Sequence, residues 1–576
     1  MVDAGLPDLP AEEPEPVALV ASMRTGATKS TISKALKAKG SKADKAMESA
    51  IAEVKQIDAK GSWHPVRKQD LTREEKRAIV RTFMFVIDKF TPSGELLKTK
   101  ARLVAMGNMQ NPESITMDTA APTVDITSVL TMAAINAYEQ REKMTCDVGG
   151  AFLHTIWPKA EGRQIVHLDC INARILLKLK PDYAKYAQED GTILMELDRA
   201  LYGLIQSARL WYDRLTDVLK QLDYAMNPAD PCVWNHGLHP KQCTVMFHVD
   251  DLNASCSDIN KLKALENILI REFGDEHIKC VYGNSQEYLG MLFEYTKDRR
   301  VKVSMRGYIQ AVLDYSGCDQ SKTAKTPAAS NLFVVKEDVK KLSEEKGKIF
   351  HSLVQALSYA AQRVRWDLLL AVSFLKGRVS SPDEFDWSKL ERLLHYLNGT
   401  KDLEVYLGVR GNLKIDSSID ASHAVYQDAR SQGGLAISLG LGLVKARSHR
   451  LSINTKSSAE SELVATSDDV PEVIHLNAFM DGQGYKLKPS RVRQDNEATI
   501  RLLEKGRSDS RRTKHINTRF FFVHDRIEKG EIVLEYTPTE HMVADFFTKP
   551  LQGNLFVRMR DKLCGVVAFS DGCDAG

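Results

Sequence analysis

The chain has 576 residues, 43% hydrophobic and 27% charged, with a formal net charge of only +3. This is an ordinary globular composition with room for three or four domains; it does not announce a nucleic-acid binder, so any basic surface must be local. No apolar run is long enough to span a membrane, and the acidic, proline-rich start MVDAGLPDLPAEEPEPV does not read as a secretory signal. The nine cysteines contain no CxxC pair, which argues against a zinc knuckle or disulfide framework and leads us to expect free thiols in a reducing compartment.

Residues 1–62 are expected to be an N-terminal tail or linker, largely disordered or helical. Lys34, Lys37, Lys39, Lys42 and Lys45 crowd its helix-prone part, either as a solvated helix face or as a weak phosphate-binding patch. From Trp63 the pattern becomes structured. RTFMFVIDKF and ELLKTKARLVAMGN predict a hairpin turning at Pro92–Gly94, with Lys98, Lys100 and Arg102 along its second strand. ITSVLTMAAINAYE has helical periodicity, and KMTCDVGGAFLH reads as a strand ending at Asp147 before two glycines. LDRALYGLIQSARLWYDRLTDVLKQLDY is predicted to be largely helical. TVMFHVDDLNASC is a strand, a turn and a second strand, with Asp250 and Asp251 side by side. KLKALENILIREFG predicts a helix, QEYLGMLFEYTKDRRVKVSMRGYIQAVLDY a strand pair and a helix, and residues from about 345 to 400 more helices. A second α/β pattern begins near 412 with strands LKIDSSIDAS and GGLAISLG. It closes with the strand EIVLEYTP and a predicted helix in HMVADFFTKPL.

Adjacent carboxylates such as Asp250 and Asp251 repel, and burying them unpaired is costly. Ordinary turn chemistry is one account of the pair. Holding divalent cations is the other, because metal charge removes the repulsion. Asp147 can supply a third carboxylate if its strand neighbours the hairpin. The glycines after it permit close backbone approach to a phosphate, with Phe152 as an aromatic wall.

These segments resemble the reverse transcriptase of copia-type LTR retrotransposons. The family order KARLVA, DV.GAFL, LYGLKQ.PR.WY, YVDD and YLG is present here as KARLVAMG, DVGGAFLH, LYGLIQSARLWY, HVDD and EYLGM. The resemblance runs from about Trp63 to the C-terminus. It implies an α+β multidomain chain, in which a right-hand polymerase of fingers, palm and thumb/connection precedes an α/β RNase H-like domain. Fingers and palm would occupy residues 63–300, thumb and connection helices 301–408, the RNase H-like domain 409–560 and a C-terminal tail 561–576.

The same resemblance implies that Asp147, Asp250 and Asp251 hold metal, and that Phe152 is the steric gate against a ribose 2′-OH. Lys100 and Arg102 would contact the triphosphate, and Gln206 and Arg209 would border nucleotide and template. The family's tyrosine, lysine and proline are replaced by His248, Ile205 and Ala208. Strand alternation would put His248 on the face of Asp250, as a packed residue rather than a ligand.

In the last domain the order strand-Asp420, helix-Glu462, strand-end Asp495 and helix-Asp545 resembles the acidic set of RNase H. Ser457 or Ser458 would cap the helix of Glu462. Glu460 competes for the ligand role, but the family pattern favours Glu462. His541 is a candidate assistant, and RRTKH, with His515, a candidate contact for the hybrid.

The implied cofactor is Mg²⁺, two ions per active site, with Mn²⁺ as a substitute. The implied partners are RNA template, DNA primer, RNA–DNA hybrid, dNTPs and other polyprotein products such as capsid and integrase, with no membrane. The implied location is the cytoplasmic virus-like particle, and secondarily the nucleus. The sequence carries no gag zinc knuckle, DTG-type protease motif or integrase triad, which the family encodes upstream in one polyprotein; the chain is expected to be a product, truncation or fragment of one. The alternative reading is a decayed or repurposed remnant that only binds nucleic acid or protein. An unrelated magnesium phosphotransferase would explain neither the second acidic set nor the motif order.

Overall fold

The computed structural model describes residues 28–37, 41–90, 96–506 and 517–570. The acidic start, Lys39, the turn at Pro92–Gly94 and the RRTKH run lie outside the described residues. The described residues form four β-sheets on two large hydrophobic cores.

The first sheet has six strands, and its centre is the expected hairpin, Val80–Phe90 antiparallel to Leu96–Ala105. Thr28–Thr31 adds a strand beside Val80–Phe90. Helix Ser41–Ala59 packs on Leu96–Ala105 through one face, on which Ala46, Ala50, Val54 and Ile57 are buried. Ser49 Oγ accepts the Ala101 amide at 2.6 Å, and Glu53 accepts the Leu103 amide at 3.2 Å. The expected tail is therefore, from Thr28 onward, part of the first sheet's core. The reason is the apolar stripe at helical spacing, which must be covered by something.

The second sheet carries the VDD hairpin. Its six antiparallel strands run in the order Ile278–Tyr282, Glu142–Val148, Asp251–Cys256, Cys243–His248, Asp230–His236 and Ala225–Asn227. Helices Ile126–Tyr138, Ser207–Gln221 and Ile259–Phe273 contribute to the core beneath it. The second of these starts only at Ser207, so ALYGLI is irregular where a helix was expected. Gly203 explains this: its φ is +91°, and a Cβ there would come within 2.1 Å of the Ala105 carbonyl. The LYGL segment instead lies against the RLVAMG strand, with the Ala105 amide donating to the Tyr202 carbonyl at 2.7 Å.

Free thiols were expected throughout, and one pair departs from this. Cys146 and Cys280 are directly opposite on neighbouring strands and form a disulfide. Cross-strand partners have Cβ atoms only about 4.5–5.5 Å apart, a proximity that sequence spacing cannot reveal. Cys170, Cys232, Cys243, Cys256, Cys318 and Cys564 are free.

The third sheet joins Ser285–Tyr288, Met291–Tyr295, Arg300–Ser304, Val405–Val409 and Gly440–Leu441. The expected boundaries at 300/301 and 408/409 thus fall inside paired strands. Between those two strands the chain is helical at Arg306–Ser316, Glu344–Ala361, Leu369–Lys376 and Glu384–Gly399. The fourth sheet runs Lys445–Arg450, Gln432–Ser438, Asp416–Ser422, Ser490–Gln494 and Ile532–Tyr536, the first three antiparallel and the last two joined in parallel. Helix Ser458–Gly482 packs on its central strand.

Two expectations near the C-terminus fail. HMVADFFTKPL forms short 3₁₀ turns, Thr539–His541 and Val543–Phe547; Val543, Ala544, Asp545, Phe546 and Phe547 are all buried, rather than one face of a helix, and Gly434 lets Ala544, Phe547 and Thr548 approach closely. Residues 561–570 are no tail: Leu563, Ala568 and Phe569 are buried, and Ala568 bridges to Leu441.

The second and fourth sheets are tied through the far end of helix Ser458–Gly482. Asn227 Nδ2 donates to the Phe479 carbonyl at 2.9 Å, and the buried Arg141 reaches both Glu139 at 2.7 Å and Tyr485 Oη at 3.4 Å.

Ile57→Ala should cost about 2–5 kcal/mol, the usual range for emptying a buried aliphatic site, and lower the urea midpoint of the first core. An unchanged midpoint would return the helix to the status of a tail.

Candidate functional site

The VDD turn is a two-residue hairpin loop. His248 and Asp251 are the last paired residues, leaving Val249 and Asp250 in the loop. Val249 has φ +58°, a conformation that glycine usually supplies at the first position of such turns. A β-branched residue there is strained, and strain of this kind, of order 1–3 kcal/mol, persists only when the surroundings impose it. Here Trp211 imposes it. Its indole N–H donates to the Val249 carbonyl at 2.6 Å, and its ring is buried.

Asp251 is in register with Asp147 on the neighbouring strand, and the Val148 amide donates to the Asp250 carbonyl at 3.1 Å. The three aspartates therefore share one end of two adjacent strands. Burial pushes the Asp250 carboxyl up, and the Asp147 charge adds to this; its own backbone amide, Arg102 and Lys100 oppose it. Lys100 and Arg102 thus face the aspartates electrostatically.

Arg102 pairs with Glu53 at 3.0 Å and stacks over Tyr202 at 5.1 Å. Burial raises the Glu53 carboxyl despite that pairing. Phe152, in the turn after Gly150, packs its ring 5.1 Å from Tyr202. Tyr202 is thus the shared neighbour of Arg102 and Phe152, and it was missed in the sequence reading; its place in LYGL was the available signal. Burial raises its phenol to about 12.

Gln206 and Arg209 are engaged elsewhere. Gln206 is buried and bonds to Gln110 at 2.9 Å and Glu161 at 3.4 Å. Arg209 bonds to Asp118 at 2.6 Å and Asp213 at 2.8 Å.

The second acidic group lies on the fourth sheet. Asp420 is on strand Asp416–Ser422, Glu462 is in helix Ser458–Gly482, and Asp495 follows strand Ser490–Gln494. Ser457 caps the helix, accepting the Glu460 amide at 3.2 Å, while Glu460 itself accepts the Lys456 amide at 2.7 Å. Each of Asp420, Glu462 and Asp495 offers one ligand atom, all within 4.8 Å of one another; among the described residues no other three acids, histidines or cysteines do so. Asp147, Asp250 and Asp251 are not drawn together this tightly.

Buried Glu462 Oε2 has no hydrogen-bond partner. Burial, then the charges of Asp420 and Asp495, push this carboxyl well up. Thr539 donates to Asp495 at 2.8 Å, and Thr548 donates to Asp420. His541 lies in the same short turn as Thr539. Asp545 is buried beside Lys549, whose Nζ is 2.6 Å away and 3.7 Å from Asp420. Burial raises the Asp545 carboxyl to about 8, Asp420 adds to this, and Lys549 opposes it. Lys549 was not singled out in the sequence; its i+4 spacing from Asp545 was the signal. Asp420, Glu462, Asp495, Thr539 and Lys549 line a cavity of about 560 Å³; Asp545 is not among its lining residues.

A family model described as reverse transcriptase (RNA-dependent DNA polymerase) matches residues 70–330, which contain the VDD hairpin and its neighbours. Residues 70–330 thus carry the pattern of that family, and the chain is similar to copia-type retrotransposon Pol polyproteins. It is 25% identical over 469 residues to the Retrovirus-related Pol polyprotein from transposon TNT 1-94 of Nicotiana tabacum, covering 80% of this chain and 34% of that one. It is likewise 25% identical to the Pol polyprotein from transposon RE2 of Arabidopsis thaliana, over 84% of this chain and 32% of the relative. The truncated transposon Ty1-A Gag-Pol polyprotein of Saccharomyces cerevisiae is 21% identical over 90% of this chain and 42% of its own length. The chain thus spans about a third of the length of the first two relatives. Among solved structures, the foamy viral protease-reverse transcriptase dRH in complex with ds DNA is similar with a TM-score of 0.43 and 15% identity, over 76% of this chain and 63% of that one.

The fourth-sheet carboxylates give a prediction in metal-free buffer. Glu462 and Asp545 hold protons in the folded state that the unfolded chain has already released, because their folded values are raised. Their contribution is full below the unfolded carboxylate range and is lost as pH rises toward about 8, the folded value of Asp545. In EDTA the melting midpoint should fall across that window, and Glu462→Gln should fall less. Saturating Mg²⁺ should stabilise the wild type, by about 2.7 kcal/mol at a hundredfold excess over Kd, and stabilise Glu462→Gln little.

Proposed function

We propose that the chain copies RNA and DNA templates into DNA at the VDD hairpin and cleaves the RNA of the resulting hybrid at the fourth sheet. The observation that carries the first part is the register of Asp251 opposite Asp147, with Asp250 at the adjoining turn, inside the segment matched by the reverse transcriptase family. The second part is supported by the convergence of Asp420, Glu462 and Asp495 and by the unsatisfied buried oxygen of Glu462, which fits a bound cation.

Asp147, Asp250 and Asp251 would hold two Mg²⁺ ions in the first site, and Asp420, Glu462, Asp495 and Asp545 two in the second. When bound, such ions supply Lewis acidity at phosphate oxygens and lower the pKa of an attacking hydroxyl or water. The protein's part is positioning. In polymerisation the primer 3′-OH attacks the α-phosphate of a dNTP in line, the α–β phosphoanhydride bond breaks to release pyrophosphate, and the hydroxyl proton passes to water; Lys100 and Arg102 would neutralise the triphosphate and the leaving pyrophosphate. Glu53 holds the Arg102 guanidinium at 3.0 Å, and Tyr202 supports both Arg102 and Phe152. Phe152 occupies the space a ribose 2′-OH would need. In the second site, the RNA strand is the one cut because its 2′-OH distinguishes it from DNA. Primer–template and hybrid are gripped through backbone and shape. Other products of a longer polyprotein, capsid and integrase among them, are the proposed partners, within cytoplasmic particles.

Purified protein should extend a DNA primer on an RNA template with Mg²⁺ and dNTPs, and Asp250→Asn should lose at least about a hundredfold in rate. Asp495→Asn should spare extension and abolish hybrid cleavage. Phe152→Ala should keep extension while admitting ribonucleotides. No extension by folded wild type with either Mg²⁺ or Mn²⁺ would favour the decayed-remnant reading.

A further inference from the structure

Behind the two turns that carry the polymerase aspartates lies a second cavity, of about 690 Å³, lined by Lys60, His154, Arg199, Arg214, Asp217 and Glu272 among others. That size is typical of small-ligand sites. Its charges do not cancel. Glu272 is taken by Arg214 at 2.9 Å, and Asp217 by Lys220 at 2.9 Å. Exposed Glu276 lies 3.0 Å from His277, whose charged form is disfavoured by burial and then by Lys60, and the Glu276 charge also favours the Lys60 ammonium. Lys60 and Arg199 have no carboxylate partner within salt-bridge distance among the described residues. Lys60 Nζ instead meets the His154 ring, at 3.3 Å from Nδ1 and 3.1 Å from Nε2.

We propose that this cavity is an anion site for a small polyphosphate, free or as the phosphate arm of a nucleotide, bound by Lys60 and Arg199. Two convergent cations of different shape suit such a group: the guanidinium offers a planar fork and the ammonium a compact point charge. The half-buried setting strengthens both attractions relative to water. Burial lowers the Lys60 ammonium to about 8; the Glu276 charge opposes this and the Arg199 charge adds to it. His154 is kept neutral, near 4, chiefly by burial and then by Lys60.

The position of the cavity matters as much as its charge. His154 Nε2 is 3.2 Å from the Gly149 carbonyl, two residues after Asp147. The same ring lies 6.4 Å from Trp211, which holds the Val249 carbonyl next to Asp250. A ligand held by Lys60 is therefore separated from the Gly149 turn by one side chain, His154, and from the VDD turn by His154 and Trp211. None of the proposed metal-binding carboxylates lines this cavity, so the site stands apart from the polymerase chemistry proposed above.

The test is calorimetric titration of the full chain in EDTA, where carboxylate metal sites do not recruit phosphate, with inorganic pyrophosphate and, separately, ATP. The site predicts saturable binding of at least one, weakened about tenfold or more in Lys60→Gln/Arg199→Gln. Tighter pyrophosphate binding would assign a free polyphosphate, and tighter ATP binding a nucleotide. In wild type, the same ligand should protect Lys60 from limited acetylation, read by mass spectrometry. Absence of binding by wild type, equal affinity in the double variant, or unprotected Lys60 at saturation would each overturn the site.

Discussion

Negative charge held at close quarters is the constraint around which both halves of this chain are arranged. Two like charges about 4 Å apart repel by roughly 4 kcal/mol at an effective dielectric of 20, and burial adds a desolvation cost. Asp420, Glu462 and Asp495 bring ligand oxygens within 4.8 Å of one another, and Asp250 is raised by burial and by Asp147. A protein gains nothing in stability from such groups. They persist because the surrounding fold fixes them and, in the function proposed here, because cations and phosphates complete the charge balance.

The fixing is done by parts remote in sequence. The VDD turn takes a backbone conformation its valine disfavours, and Trp211, on a helix packed beneath, holds the carbonyl that makes it possible. Arg102 is aimed by Glu53, which comes from the helix before the first long strand. The fourth sheet is joined to the second through Arg141, Glu139 and Tyr485, so the two acidic groups sit on a connected framework rather than on separate beads. One continuous core, running from the VDD sheet through the helices to the last domain, says the same in packing terms.

Much of this was legible in the sequence, and the reasons differ by element. Strand–turn–strand at VDD and strand–glycine–glycine at Asp147 are local patterns, and both elements form where the pattern puts them. The cap at Ser457 follows from local hydrogen-bonding rules. What stayed hidden was tertiary. The pairing of Cys146 with Cys280 depends on strand register across 134 residues. The docking of helix Ser41–Ala59 depends on which surface needs covering, and its lysine-rich start obscured the buried stripe. The 3₁₀ turns around Asp545 arise where burial of neighbouring phenylalanines overrides helical periodicity. Gln206 and Arg209, placed near nucleotide by motif alone, have their polar groups committed to Gln110, Glu161, Asp118 and Asp213.

The central claim is that two separate carboxylate groups are built to receive cations. Electron paramagnetic resonance of Mn²⁺ titrated into the chain with primer–template and dNTP tests it most directly, because free and bound ions give distinct signals. The account predicts two independent classes of bound ion: Asp250→Asn removes one and leaves the other, and Glu462→Gln does the reverse. Bound Mn²⁺ unaffected by both substitutions, or abolished together by either one, would contradict it.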